Sequence, residues 1–192
     1  IGVQHHQVAD ADGTSTSTFG VNLGDAPVPE RKYVADVAAI SQLDGQTRML
    51  FGQWKLGATE LRSLIVVHMS PDVVVNFVES VLEISKRLKD FLGRTEIDPL
   101  PLASELVEPA QTIAFASNVV ICGFSGLEAT LDFYHASAFS LDRVLRKSPE
   151  LAIDPIVRIN TSSRLLLSML EEASRQSEHL KSPLRRIANG QV

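Results

Sequence analysis

The residues able to do chemistry in this 192-residue chain are few and scattered. His5 and His6 are adjacent near the start, while His68, His135 and His179 each stand alone. No H-x-x-x-H pair and no Cys–His pair occurs at ligand spacing, so no metal site is expected. Cys122, the single cysteine, lies in the apolar run Val119-Val-Ile-Cys-Gly123, where nothing nearby would lower its pKa towards a reactive thiolate. Gly123-Phe-Ser-Gly126 begins like a nucleophile elbow, but G-x-S-x-G needs glycine where the chain has Leu127, and a strand-to-helix bend where the pattern reads as a hairpin. There is no G-x-x-x-x-G-K-[ST] and no G-x-G-x-x-G after a strand, hence no phosphate cradle. Glu79 with Glu83, and Glu171 with Glu172, fall on the solvent faces of amphipathic segments and do not form an acid–base pair. The expectation is no catalytic residue, no metal and no cofactor.

Charge narrows the partners. The formal net charge of −5 is spread evenly, with 9 Lys+Arg against 12 Asp+Glu in residues 1–96 and 9 against 11 in residues 97–192. Without a basic half to neutralise phosphates, nucleic acid is not expected as a partner. No apolar run approaches the roughly 18 residues of a membrane span. One cysteine forms no intrachain disulfide, which fits a reducing compartment, and a cytoplasmic location is the default. The sequence opens on Ile1 and leaves the native start, and any targeting segment ahead of it, open.

The elements follow from periodicity and punctuation. Residues 1–32, with a polar Ser/Thr run and Gly24-Asp-Ala-Pro-Val-Pro29, read as an extended arm. Strands are predicted over Tyr33–Leu43, Thr47–Lys55 and Leu61–Met69, with Asp44-Gly45 as the first hairpin turn. Alternation puts Met49 and Phe51 on one face and Arg48, Leu50 and Trp54 on the other. Ser70-Pro71-Asp72 starts a helix running to about Leu92, with Val74, Phe77, Val78, Val81, Ile84, Leu88 and Phe91 as its apolar stripe. Gly93 ends it, and residues 94–112 read as a linker with Pro99, Pro101 and Pro109. Strands then recur over Ala114–Phe124, Ala129–Ala136 and Ile156–Ile159, with a helical turn inside residues 139–155. Thr161 is read as the cap of a last helix, Ser162 to about Leu180, with stripe Leu165, Leu166, Met169, Leu170 and Ala173; residues 181–192 form a basic tail.

The order of elements is stated twice. Tyr33–Trp54 lies over Phe115–Ala136 without a gap, and Ile65–Val81 over Ile156–Glu172. The chain therefore reads as α+β: a first β-β-β-α unit over 33–93 and a second over 113–180. Each unit is an antiparallel sheet backed by one long helix, the two related by an approximate two-fold. Where the copies disagree, a large apolar side chain is not shared core. Leu50 lies opposite Asp132, Trp54 opposite Ala136, Tyr134 opposite Gly52 and Phe124 opposite Gln42. Leu50, Trp54, Phe124 and Tyr134 are thus the candidate partner-binding residues, covered either by a partner or by the arm or the other unit.

The second unit, with Ala129-Thr-Leu-Asp-Phe133 as its return strand, resembles a small uncharacterised prokaryotic β-β-β-α family. That family has an F-x-L-D-F-like strand followed by an S-P-capped helix. Met69-Ser-Pro71 matches the cap in the first unit, which has Arg-Met-Leu-Phe where the family has L-D-F; the second unit has Thr161-Ser in place of Ser-Pro. The resemblance implies a fold and no activity. The order of elements is also similar to the SecB-like chaperone architecture, an antiparallel sheet backed by long helices. The functional expectation is a non-catalytic protein-binding or assembly module, as a SecB-like holdase or a scaffold subunit, with a protein partner or further copies of itself. The alternative is a small-molecule binder or enzyme with a site between the two units.

Overall fold

The structure is a computed structural model that describes residues 1–9, 15–43, 46–56, 60–92, 109, 111–172 and 174. The expected turn at Asp44-Gly45, most of the linker and the tail lie outside these. The described strands are β1 (Val3–Ala9), β2 (Ser15–Val21), β3 (Lys32–Val34), β4 (Val37–Leu43), β5 (Gln46–Trp54) and β6 (Leu61–Met69), then β7 (Thr112–Ala116), β8 (Val119–Ser125), β9 (Glu128–His135) and β10 (Asp154–Ser162). Helix α1 spans Pro71–Leu92 and α2 Ala138–Leu145. A third helix, α3, runs over 163–172.

The strands form two four-stranded sheets, in the orders β4-β5-β6-β7 and β3-β10-β9-β8, beside the β1–β2 ribbon. The fold class is α+β, as the sequence indicates, but the sheets are mixed and not antiparallel. Two long strands read as continuous in the sequence are each broken. Tyr33–Leu43 divides at Ala35-Asp36 into β3 and β4, and Ala114–Phe124 divides at Ser117-Asn118 into β7 and β8. The two pieces of each go to different sheets. β3 pairs parallel with β10, while β4 pairs antiparallel with β5; β7 pairs parallel with β6, while β8 pairs antiparallel with β9.

The breaks show how a chain changes sheet without losing hydrogen bonds. Ala35 N–H donates to Asn160 O at 2.9 Å in one sheet, and Asp36 N–H donates to Gly52 O at 2.9 Å in the other. Ser117 N–H donates to His68 O at 3.0 Å, and Asn118 N–H to Tyr134 O at 3.2 Å. Two successive main-chain groups thus point to opposite partners, and buried polar groups stay satisfied. Short polar side chains hold the second break. The Asn118 amide nitrogen donates to Ala136 O at 2.7 Å, its oxygen accepts from Ala136 N–H at 2.8 Å, and Ser117 Oγ donates to Tyr134 O at 2.8 Å.

Register decides what is core. Met49 and Phe51 of β5, Ile65, Val67 and Met69 of β6, Leu131 and Phe133 of β9, and Val157 and Ile159 of β10 all turn inward into one apolar core. Val74, Phe77, Val78 and Val81 of α1 complete it with Leu165, Leu166, Met169 and Leu170 of α3, as their helical spacing predicts. The rings of Phe51 and Phe133 meet across the core at 5.7 Å and 60°. Tyr33, from the edge of one sheet, hydrogen-bonds Ser63 on the other. The side chains of Ile84, Leu88 and Phe91, and all of Ala173, lie outside the described set.

Pairing also corrects the start of α3. β8 and β9 pair in the register of β4 and β5 moved by 82 residues, since Val37 pairs with Gly52 and Val119 with Tyr134. The third strands follow at 92 residues: Phe51 pairs with Ile65, and Phe133 with Val157. The sequence alignment set that last step at 91, and a slip of one turns every side chain to the opposite face. Ser162, not Thr161, is therefore the cap, its Oγ accepting from Leu165 N–H at 3.1 Å. Thr161 turns inward and donates to Ala35 O at 3.0 Å.

Residues 1–32, read as an extended arm, hold a two-stranded ribbon in which β1 and β2 pair antiparallel from Val3↔Val21 to Ala9↔Ser15. The ribbon is pinned to residues 149–151. The Ile1 ammonium donates to Leu151 O at 2.8 Å, Leu151 N–H donates to Ile1 O at 2.9 Å, and Val3 N–H donates to Pro149 O at 2.7 Å.

Asn118→Ala removes two hydrogen bonds at a sheet crossing and is expected to cost about 2 kcal/mol. Asp36→Ala, at the exposed counterpart, should stay within about 0.5 kcal/mol of the parent. Urea unfolding followed by Trp54 fluorescence measures both.

Candidate functional site

The outer faces of the two sheets are built differently. On the sheet of β8, β9 and β10, the outward Val119, Ile121, Tyr134 and Ala136 lie under a second apolar cluster. Val3 of the ribbon, Val144 of α2, and Leu151 and Ile153 of the segment that follows supply the cover. α2 forms because Ser137 caps it, its Oγ accepting from Ser140 N–H at 3.1 Å, and because Ser140 and Val144 bury one side.

Beneath this cover sits an ion pair. Arg158 donates from Nε and Nη2 to the two oxygens of Asp132, each at 2.6 Å, in the fork geometry that suits guanidinium and carboxylate. Asp132 is buried, and the Tyr134 hydroxyl donates to its Oδ2 at 3.4 Å. Burial, then the negative charge of Asp132 and that donated bond, push the Tyr134 hydroxyl up to about 12. Burial alone pushes the Cys122 thiol, on the inner face of β8, up to about 12. That keeps the thiol in its protonated form at neutral pH.

The outer face of the other sheet joins neither apolar cluster of the described residues. Val37 and Ala39 of β4, Leu50 and Trp54 of β5, and Leu64 and Val66 of β6 lie there. Val66 is buried, yet neither apolar cluster includes it or its half-buried neighbours. A bulge beside Trp54 turns Leu61 onto the same face, where its side chain comes within 3.0 Å of where a Cβ on Gly52 would be. Leu61 therefore fills over Gly52 the room that Tyr134 fills on the other sheet. The contrast is sharpest one pair along. Leu50 and Val66 are cross-strand partners, and their counterparts in the other register, at 82 and 92 residues further on, are Asp132 and Arg158. The two pairs are buried alike, Val66 at 8% exposure and Asp132 at 7% with Leu50 and Arg158 half-buried, and differ in chemistry.

Arg48 borders the apolar face, paired across the strands with half-buried His68. Its Nε is buried and has no hydrogen-bond partner among the described residues. An unsatisfied guanidinium nitrogen calls for an acceptor. The sequence placed Arg48 on this face without giving it a role; an arginine between Thr47 and Met49 in an alternating strand was the available signal.

The four sequence-predicted residues do not form one face. Leu50 and Trp54 share the outer face of the β4–β7 sheet. Phe124 turns inward with Val120 and Cys122 against the main core, and Tyr134 is 1% exposed under the second cluster. The arm and the α2 segment, not a partner, cover Tyr134. Among the described residues no group of three or more His, Cys, Asp or Glu is placed to hold a metal. No described helix is long and apolar enough to cross a membrane. Comparison with protein-family models, curated proteins and solved structures found no match to this chain.

Two measurements follow. Asp132→Asn leaves Arg158 without its carboxylate and is expected to cost about 3 kcal/mol, whereas Asp132→Leu with Arg158→Val, copying Leu50 and Val66, should recover most of it; urea unfolding of both reads this. The raised hydroxyl and thiol pKa values favour the neutral forms in the folded state. Their contribution is therefore complete below the ordinary values of 10.0 and 9.0 and lost as pH rises towards about 12. Unfolding free energy should fall from about pH 9 upward, and Tyr134→Phe should flatten the part above about pH 10.

Proposed function

We propose that this chain is a non-catalytic protein-binding module, a tandem of two β-β-β-α units about an approximate two-fold, with its partner on the outer face of the β4–β7 sheet. The observation that carries this reading is the apolar Leu50–Val66 pair, outside both apolar clusters and with Leu50 half-buried, where the sister position holds an ion pair. Apolar surface that joins neither core is what an interface centre is made of, and arginine and tryptophan are its commonest anchors. Trp54 supplies the anchor, and the buried Arg48 Nε has no acceptor among the described residues. The partner is thus a polypeptide presenting apolar side chains beside a carboxylate or main-chain carbonyl.

The equal registers at 82 and 92 residues support the tandem reading. Between the sheets Met49, Phe51, Leu131 and Phe133 are fully buried against one another, which favours an outer-face binder over a site between the units. Two forms fit: a scaffold subunit holding one folded partner, and a SecB-like holdase receiving extended, apolar segments.

Leu50→Asp with Trp54→Ala should leave the fold intact by circular dichroism and reduce partner capture from a native extract about 30-fold, as loss of a central anchor does. Phe139→Ala, at an exposed position on α2, is the control that should change nothing. Quantitative mass spectrometry of the captured proteins separates one stoichiometric partner from a spread of unrelated chains. Capture that survives the double substitution would place binding elsewhere.

A further inference from the structure

Edge strands need protection, and the two long edges of this molecule differ in how much they have. β4 and β8 occupy the same place in their sheets, each paired on one side only, with β5 and β9. Natural edges are usually kept apart by lysine, proline, a bulge or shortness. β8 has none of these. It is seven residues long and pairs with β9 without a register shift, and residues 117–127 hold no charged side chain. Moving the register by 82 residues compares it with β4. Ala38 and Ile40 are buried, but their counterparts Val120 and Cys122 are only half-buried, and half-buried Ser41 has exposed Gly123 as its counterpart.

Gly123 is the second observation. Its backbone has no positive φ, and a Cβ there would meet nothing within 4 Å. Neither the turn nor the packing of this chain requires glycine. A glycine inside a strand otherwise marks close approach by another backbone. Among the described residues, Val120–Ser125 make no main-chain hydrogen bonds other than those to β9. α1 approaches β8, whose Val120, Cys122 and Phe124 join the core.

We infer that β8 pairs antiparallel with β8 of a second copy, joining two four-stranded sheets into one of eight strands. A two-fold axis across an uncharged strand makes it its own complement. Every residue finds a partner in the same strand reversed, and no like charges are set opposite one another. The outer face of the β4–β7 sheet takes no part in this contact.

Analytical ultracentrifugation of the full chain in reducing buffer tests it. The parent chain should sediment as two 20.9 kDa subunits. Gly123→Lys, which the open space around position 123 accommodates, should keep its circular dichroism spectrum and raise the dimer dissociation constant about 100-fold, since like charges side by side oppose association. Ser41→Lys on β4, and Leu50→Asp with Trp54→Ala, should both leave the dimer intact. Amide exchange at 120–125 should slow as the parent concentration rises. A monomeric parent, a dimer indifferent to Gly123→Lys, or a dimer lost only with the Leu50/Trp54 substitutions would each overturn the assignment. The last of these would move the dimer contact to the outer face proposed for the partner.

Discussion

At Ala35-Asp36, and again at Ser117-Asn118, one peptide unit separates an N–H bonded to one sheet from an N–H bonded to the other. Hydrogen-bond satisfaction at these two points ties the molecule together, because an unpaired buried amide costs about 1–3 kcal/mol. Each sheet takes its fourth strand from the segment that opens the other sheet's meander. The exchange brings the inner faces together, so that Phe51 and Phe133 share one core and Tyr33 reaches Ser63. Neither sheet is complete by itself.

With the inner faces committed to each other, the outer faces carry the difference between the sheets. One is sealed by α2, the ribbon and residues 149–153, over the Asp132–Arg158 pair. A bidentate pair in that setting confers geometry more than stability, since similar volumes of apolar side chain often do as well. The other keeps Leu50, Val66 and Trp54 beside Arg48, whose Nε has no hydrogen-bond partner among the described residues.

Much of the frame was legible. The alternation of Met49 and Phe51 against Leu50, the Ser-Pro-Asp start of α1 and its Val74-Phe77-Val78-Val81 stripe report local geometry, which sequence expresses directly. The strand breaks were not legible, because Ala35-Asp36 and Ser117-Asn118 lack the glycine or proline that punctuates a turn. What divides the strands there is a distant acceptor, Asn160 O or His68 O. The same limit applies to the candidate site. Tyr134 and Leu50 look alike as large side chains facing small or polar counterparts, and only the docking of residues 1–3 and 149–153 decides that one is covered. Phe124 was misplaced because its counterpart Gln42 looked like a surface position, whereas pairing with Ala129 turns Phe124 inward.

The parallel partnership of β3 with β10 has a temporal side. Val34 lies beside Asn160, and Thr161 bonds Ala35 across 126 positions of chain. As the polypeptide emerges from the ribosome, the β4–β7 sheet has all its strands once residue 116 is out. β3, made earlier than any of them, must remain unpaired until residues 158–160 follow. Its three residues are short enough to be a poor template for stray pairing during that wait. The first strand of the pair of sheets is thus the last to be used, and the second sheet closes only after β10 has been made.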